Sequence, residues 1–185
     1  MSKKQHALSF MLPITVTIIF PSLLIYLTAS TDLWFIWPLT FDMTSPWDVF
    51  RIPAGAIACF TGLFILYITI GKFAKEGEGT LSPLHPTRKL VVSGIYCHVR
   101  NPMIIGVLLI LLGESLVLPS LSILILCLFF LLGNHLYFMK SEEPGLVARF
   151  GEEYLEYKKN VPRWIPRRTP WVPAADVKEP PSNVP

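Results

Sequence analysis

The sequence predicts an all-α, polytopic membrane protein, with about four transmembrane helices and a C-terminal amphipathic helix. Three observations carry that prediction. Hydrophobic residues make up 52% of the chain and charged residues only 16%, at a mean hydropathy of +0.50; soluble domains carry roughly 25% charged residues. Apolar runs approaching or exceeding the ~20 residues that a helix needs to cross the hydrocarbon layer recur along the chain. Polar residues gather at the ends of those runs, and a 3.6-residue period appears only after the last of them. The 185 residues leave room for one domain. The net charge of +3 is too small to point to nucleic acid, and there is no basic patch interleaved with aromatics.

In chain order, Ser2-Lys3-Lys4 precedes an apolar run from about Leu8 to Ala29, read as the first span. Pro13 and Pro21 kink such a helix without forbidding it. A cleaved signal peptide is the competing reading, since Thr28-Ala29-Ser30 offers small residues, but the apolar core is longer than a usual signal segment. Residues 31–49 hold Asp32, Asp42 and Asp48, no Lys or Arg, and Trp34, Trp37 and Trp47, the composition of an external loop with indoles at the interface. The second run, about Ile52 to Ile70, carries Gly55 and Gly62, which let helices approach closely. Residues 71–102 form the longest polar connection, with Lys72, Lys75, Arg88, Lys89 and Arg100; with Lys3 and Lys4 they set the N-terminus and this loop on the cytoplasmic side.

From Met103 to Met139 the chain is nearly all apolar, interrupted at Gly113-Glu-Ser-Leu-Val-Leu-Pro-Ser120. This reads as a tight hairpin of two helices, about 103–117 and 120–139, turning near Pro119. Glu114 then lies near the far interface or inside the bundle, and structural hydrogen bonding is favoured there over chemistry. Asn134 and His135 come about one turn before the end of the fourth helix, close enough to the cytoplasmic side to line a cavity. Residues 141–160 form the amphipathic helix, with Leu146, Phe150, Tyr154 and Tyr157 at helical spacing. The basic, Trp-bearing stretch 161–168 suits an interfacial anchor, and the Pro-rich tail 169–185 reads as loose. Cys59, Cys97 and Cys127 are widely spaced buried thiols, and His6, His85, His98 and His135 form no ligand cluster, so no metal site is expected.

Three polar knots mark helix ends: Gly77-Glu-Gly-Thr80, Arg100-Asn101 ahead of Pro102, and Ser141-Glu-Glu-Pro144. Glycines 77 and 79 permit backbone geometries that bring main-chain N–H groups to a ligand; a flexible turn is the plainer account. Pro102 suits the first position of a helix, so Arg100 and Asn101 stand at a helix entrance at head-group depth. There a guanidinium binds an anionic group, or simply snorkels to phosphate. Glu142 and Glu143 are unusual as adjacent carboxylates at a membrane border; their plainer role is to complement a helix dipole in its first turn.

Taken together, Gly-x-Gly-Thr, then Gly-x-Tyr-x-x-x-Arg-Asn-Pro-Met-x-x-Gly, then Glu-Glu-Pro before Arg-Phe-Gly-Glu-x-Tyr resembles the integral-membrane S-adenosylmethionine-dependent methyltransferases. These include isoprenylcysteine carboxyl methyltransferases and phospholipid N-methyltransferases. The resemblance covers residues 50 to 168, within a single domain set at 1–168. It implies S-adenosylmethionine as cofactor and a lipophilic or lipidated acceptor, such as a prenyl-cysteine carboxylate or a phospholipid amine, methylated at the cytoplasmic membrane face. The expected cofactor contacts are Gly77, Gly79, Thr80, Tyr96, Arg100, Asn101, Pro102, His135, Glu142 and Glu143, with Arg100, Glu142 and Glu143 the candidates for catalysis. Where other members carry His, this chain has Asn101, which keeps a polar contact but excludes acid–base work. Of the two acids, Glu142 is expected to touch the ligand, and Glu143 to brace Arg100 or Arg149. The alternatives are a membrane-embedded, nicotinamide-dependent reductase of the sterol-reductase kind and a non-catalytic four-helix scaffold whose knots are caps and anchors.

Overall fold

The computed structural model describes residues 15–30, 46–76, 89–118 and 120–173, and every regular element among them is helical. A π turn, Thr15–Ile19, leads into α1, Phe20–Ser30. Then come α2, Pro46–Glu76; a short 3₁₀ turn, Gly94–Cys97; α3, Pro102–Val117; α4, Leu121–Tyr137; a π segment, Phe138–Glu142; α5, Glu143–Phe150; and α6, Glu152–Asn160.

Two helical stretches are long and apolar enough to cross a membrane, Pro46–Lys72 and Leu121–Phe150. Their apolar side chains are mostly uncovered by protein: Phe60 is 72% exposed, Tyr67 80% and Phe129 70%. Water penalises so large an apolar surface, whereas lipid tails cover it at no cost. Two shorter apolar helices, Thr15–Leu24 and Pro102–Val117, accompany them.

The antiparallel pair α2 and α3 shares the largest helix–helix interface. Glycine makes it possible. A Cβ on Gly62 would lie 2.5 Å from the Gly106 carbonyl oxygen, and one on Gly113 would lie 2.6 Å from that of Gly55. Backbone therefore meets backbone at two levels, the close packing that small residues allow between membrane helices. At the far end Asp48 holds the Arg51 guanidinium at 2.6 Å, and Arg51 donates to the carbonyls of Leu116 and Val117. That clasp satisfies two carbonyls left open at the end of α3. The core between the helices gathers Leu66, Ile70, Val107, Ile110, Leu111, Ile123 and Cys127, with Val16 added from the N-terminal π turn.

The expected α3–α4 hairpin is present, with Ser120 capping α4 by accepting from the Ile123 N–H. The single amphipathic helix expected over 141–160 is not. Helix runs without a stop from α4 through the π segment into α5, and then breaks at Gly151, whose φ of 54° and ψ of −129° favour glycine. Periodicity alone does not register that break, because apolar residues keep their spacing on both sides. A second small core follows from it: Tyr154, Tyr157 and Val161 pack with Leu90, Val92, Leu146, Val147, Phe150 and Trp171.

Candidate functional site

The residues after α6 determine the site. Val161 is buried, and the chain then turns back along the segment before α3. The Arg100 N–H donates to the Pro162 carbonyl at 2.9 Å, the Arg167 N–H to the His98 carbonyl at 3.0 Å, and the Trp171 N–H to the Cys97 carbonyl at 3.0 Å. His98 Nδ1 lies 2.8 Å from the Arg167 carbonyl oxygen. Pro162 and Pro166 keep this strap out of helix, so its backbone groups pair across rather than within. Beneath it, the Tyr157 hydroxyl donates to the Tyr96 carbonyl at 2.8 Å.

The strap lays Arg163 over the end of α4, and Glu143 becomes a hub. Its Oε1 lies 2.6 Å from Arg100 Nη1 and 2.5 Å from Arg163 Nη2, and its Oε2 lies 2.8 Å from Lys158 Nζ. Glu143 is only 5% exposed. A buried carboxylate is tolerable only where cations and hydrogen bonds replace water, and here both oxygens are spent. Arg100 also donates from Nε to the Val161 carbonyl and from Nη1 to the Tyr154 hydroxyl. Burial pushes the Tyr154 and Tyr157 phenols up from their ordinary pKa, so both stay protonated.

Beside this closed hub stand groups with capacity left. Arg100 Nη2 forms no hydrogen bond among the described residues, and neither does the half-buried Glu142 carboxylate. Glu142 closes the π segment and Glu143 opens α5. A π turn advances the chain by a different angle than an α turn, so it re-aims the side chains that follow it. It also removes the dipole-capping account of the two acids. The helix is continuous through Glu143, whose N–H already donates to the Phe138 carbonyl, so no open helix start exists there to be capped.

The other expected residues divide as follows. Asn101 occupies the position before α3 without a side-chain cap bond, and Pro102 is buried at the first helical position. Tyr96 is buried in the 3₁₀ turn, tied through its carbonyl to Tyr157. His135 lies at the end of α4 and accepts at Nδ1 from Arg163 and Trp164, both at 3.2 Å. Gly77, Gly79 and Thr80 lie outside the described residues. Glu114 sits near the opposite end of α3 from Arg100, and its Oε2 is buried without a partner among the described residues. Among these residues no group of His, Cys, Asp and Glu is arranged to hold a metal ion.

Sequence reasoning missed Arg163, Trp164, Lys158 and Tyr154. Arg163 and Trp164 were absorbed into an interfacial anchor, and Tyr154 into an apolar stripe. A signal was present in the two prolines flanking Arg163-Trp-Ile, which preclude helix and so leave the strap to pair with another segment.

Comparison with known proteins bears on what this arrangement does. Residues 50–153, more than half of the chain, match the family described as phospholipid methyltransferase. A protein-S-isoprenylcysteine O-methyltransferase of Schizosaccharomyces pombe (strain 972 / ATCC 24843) is 35% identical over 77 residues, which cover 42% of this chain and 33% of that relative. The match thus spans about a third of the relative's length. No solved structure matches the chain.

Proposed function

The chain belongs to the phospholipid methyltransferase family, and from that premise we propose that it transfers a methyl group from S-adenosylmethionine to a lipophilic acceptor at the cytoplasmic face of a membrane. The observation that carries the reading is the contrast between the two acids: Glu143 is saturated by three cations, while Glu142 and Arg100 Nη2 keep unspent capacity beside it. The remaining guanidinium N–H groups on Nη2 are suited to a carboxylate oxygen, and a free carboxylate to an ammonium or a ribose diol. The residues present therefore fit the two polar ends of S-adenosylmethionine, which supplies a methyl group on a sulfonium, a strong leaving group.

On this reading Arg100 orients the ligand through Nη2 while Glu143 fixes its guanidinium plane. Glu142 takes the complementary cationic or hydroxyl group. Aligning the donor and excluding water then provide much of the rate, since in-line displacement at carbon needs little acid–base help. A carboxylate acceptor requires no base; an amine acceptor must lose a proton, for which Glu142 is the nearest open carboxylate. Four spans, with both termini cytoplasmic, put the site at the membrane surface and its acceptor within reach from the lipid.

The test is direct. Purified protein is incubated with methyl-labelled S-adenosylmethionine and a membrane lipid extract, and the labelled product is identified. Label is expected in a lipid-soluble product and to be lost in Arg100→Ala. Absence of transfer to any component of the extract overturns the reading.

A further inference from the structure

Building on that reading, we infer that His135 is locked by Arg163 and Trp164 as its Nε2–H tautomer and offers that N–H to a carboxylate oxygen of the bound ligand. A neutral imidazole has one N–H and one lone pair, and its neighbours decide which nitrogen carries the proton. His135 Nδ1 lies 3.2 Å from Arg163 Nη1 and 3.2 Å from Trp164 Nε1. Guanidinium and indole N–H groups only donate. Nδ1 must accept, so the ring proton resides on Nε2. His98, paired with the same strap, shows the opposite case: its Nδ1 faces the Arg167 carbonyl oxygen at 2.8 Å, which only accepts, so there the proton resides on Nδ1.

The lock is itself anchored. Arg163 donates from Nε and Nη2 to Glu143 Oε1, the oxygen that also holds Arg100. The Trp164 indole is set edge-on against the buried Phe138, with ring centroids 6.2 Å apart and planes at 70°. One carboxylate thus fixes both the Arg100 plane and, through Arg163, the imidazole. His135 Nε2 forms no hydrogen bond among the described residues, and the residue is half-buried. An N–H donor backed by the Arg163 guanidinium favours an anionic oxygen. It cannot take a proton from an amine. Arg163 and Trp164 are positioning residues that act through it. The carboxylate belongs either to the amino-acid end of the cofactor or to the acceptor.

The experiment uses ¹⁵N-histidine-labelled full chain in detergent micelles, with the His135 signals assigned by their loss in His135→Gln. Nδ1 is expected to resonate as an unprotonated ring nitrogen and Nε2 as a protonated one, with His98 reversed. A His135 ring protonated on Nδ1 alone overturns the proposal. Affinities are then measured for S-adenosylhomocysteine and for N-acetyl-S-farnesylcysteine, a carboxylate-bearing prenyl probe. In His135→Leu one of them is expected to fall about tenfold or more, the worth of a hydrogen bond to a charged group. His135→Gln, whose amide N–H substitutes for Nε2–H, is expected to retain most of it. A loss confined to S-adenosylhomocysteine assigns the carboxylate to the cofactor, and a loss confined to the prenyl probe assigns it to the acceptor. Wild-type affinities for both probes in His135→Leu overturn this inference alone. Failure of the wild-type chain to bind either probe overturns the methyltransferase reading and this inference with it.

Discussion

Replacing Glu143 by Gln removes the charge that pairs with Arg100, Arg163 and Lys158 while leaving volume and one acceptor oxygen in place. The magnitude follows from burial. Glu143, Arg100 and Arg163 have side chains only 7%, 10% and 13% exposed, and breaking such a buried pair by removing one partner costs about 3–5 kcal/mol. Lys158 is 42% exposed and adds little, as surface pairs do. At ~2–4 °C per kcal/mol for a chain of this size, the melting temperature of Glu143→Gln without ligand should fall by ~6–20 °C. Glu142→Gln is the paired control. Its half-buried carboxylate accepts no hydrogen bond among the described residues, so the melting temperature without ligand should hold or rise, because Gln removes a desolvated charge. Affinity for S-adenosylhomocysteine should instead fall about tenfold or more, because a charge-assisted bond is lost. The assays are thermal unfolding and titration calorimetry on detergent-solubilised protein. A Glu143→Gln variant that melts with wild type, or a Glu142→Gln variant that loses stability and keeps affinity, refutes the division between brace and ligand.

Three further outcomes are expected. Gly62→Ala places a Cβ 2.5 Å from the Gly106 carbonyl oxygen and should cost about 1–3 kcal/mol in thermal unfolding, whereas Gly71→Ala, with nothing within 4 Å, should be neutral or mildly stabilising. Gly151→Ala imposes a side chain at φ 54° and ψ −129° and should lower stability by about 1–3 kcal/mol in the same measurement. A topology reporter fused after Pro185 should read cytoplasmic; a luminal or periplasmic signal contradicts the proposed orientation.

Much of this architecture can be read from local sequence. Apolar runs specify helices because the backbone has no other way to satisfy itself in lipid, and the α3–α4 hairpin follows from the polar, Pro-containing interruption between two such runs. Pro102 marks the start of α3 because its missing N–H costs nothing there. Gly55 and Gly62 mark a close approach, although their partners Gly106 and Gly113 emerge only once α2 and α3 are laid antiparallel. Arg100 and the acid pair stand out because charge at an apolar border is rare. What local pattern does not contain is who meets whom. Glu143 pairs with residues 15, 20 and 43 positions away, and His135 is set by Arg163 and Trp164, 28 and 29 positions on. The 141–160 periodicity spans the break at Gly151 because apolar spacing reports which residues are buried, not where the backbone turns. The π segment likewise leaves no compositional trace. Hydrogen bonds depend on distance and angle between groups brought together by the packing of whole helices, so the saturated and unsaturated members of this site differ only in three dimensions.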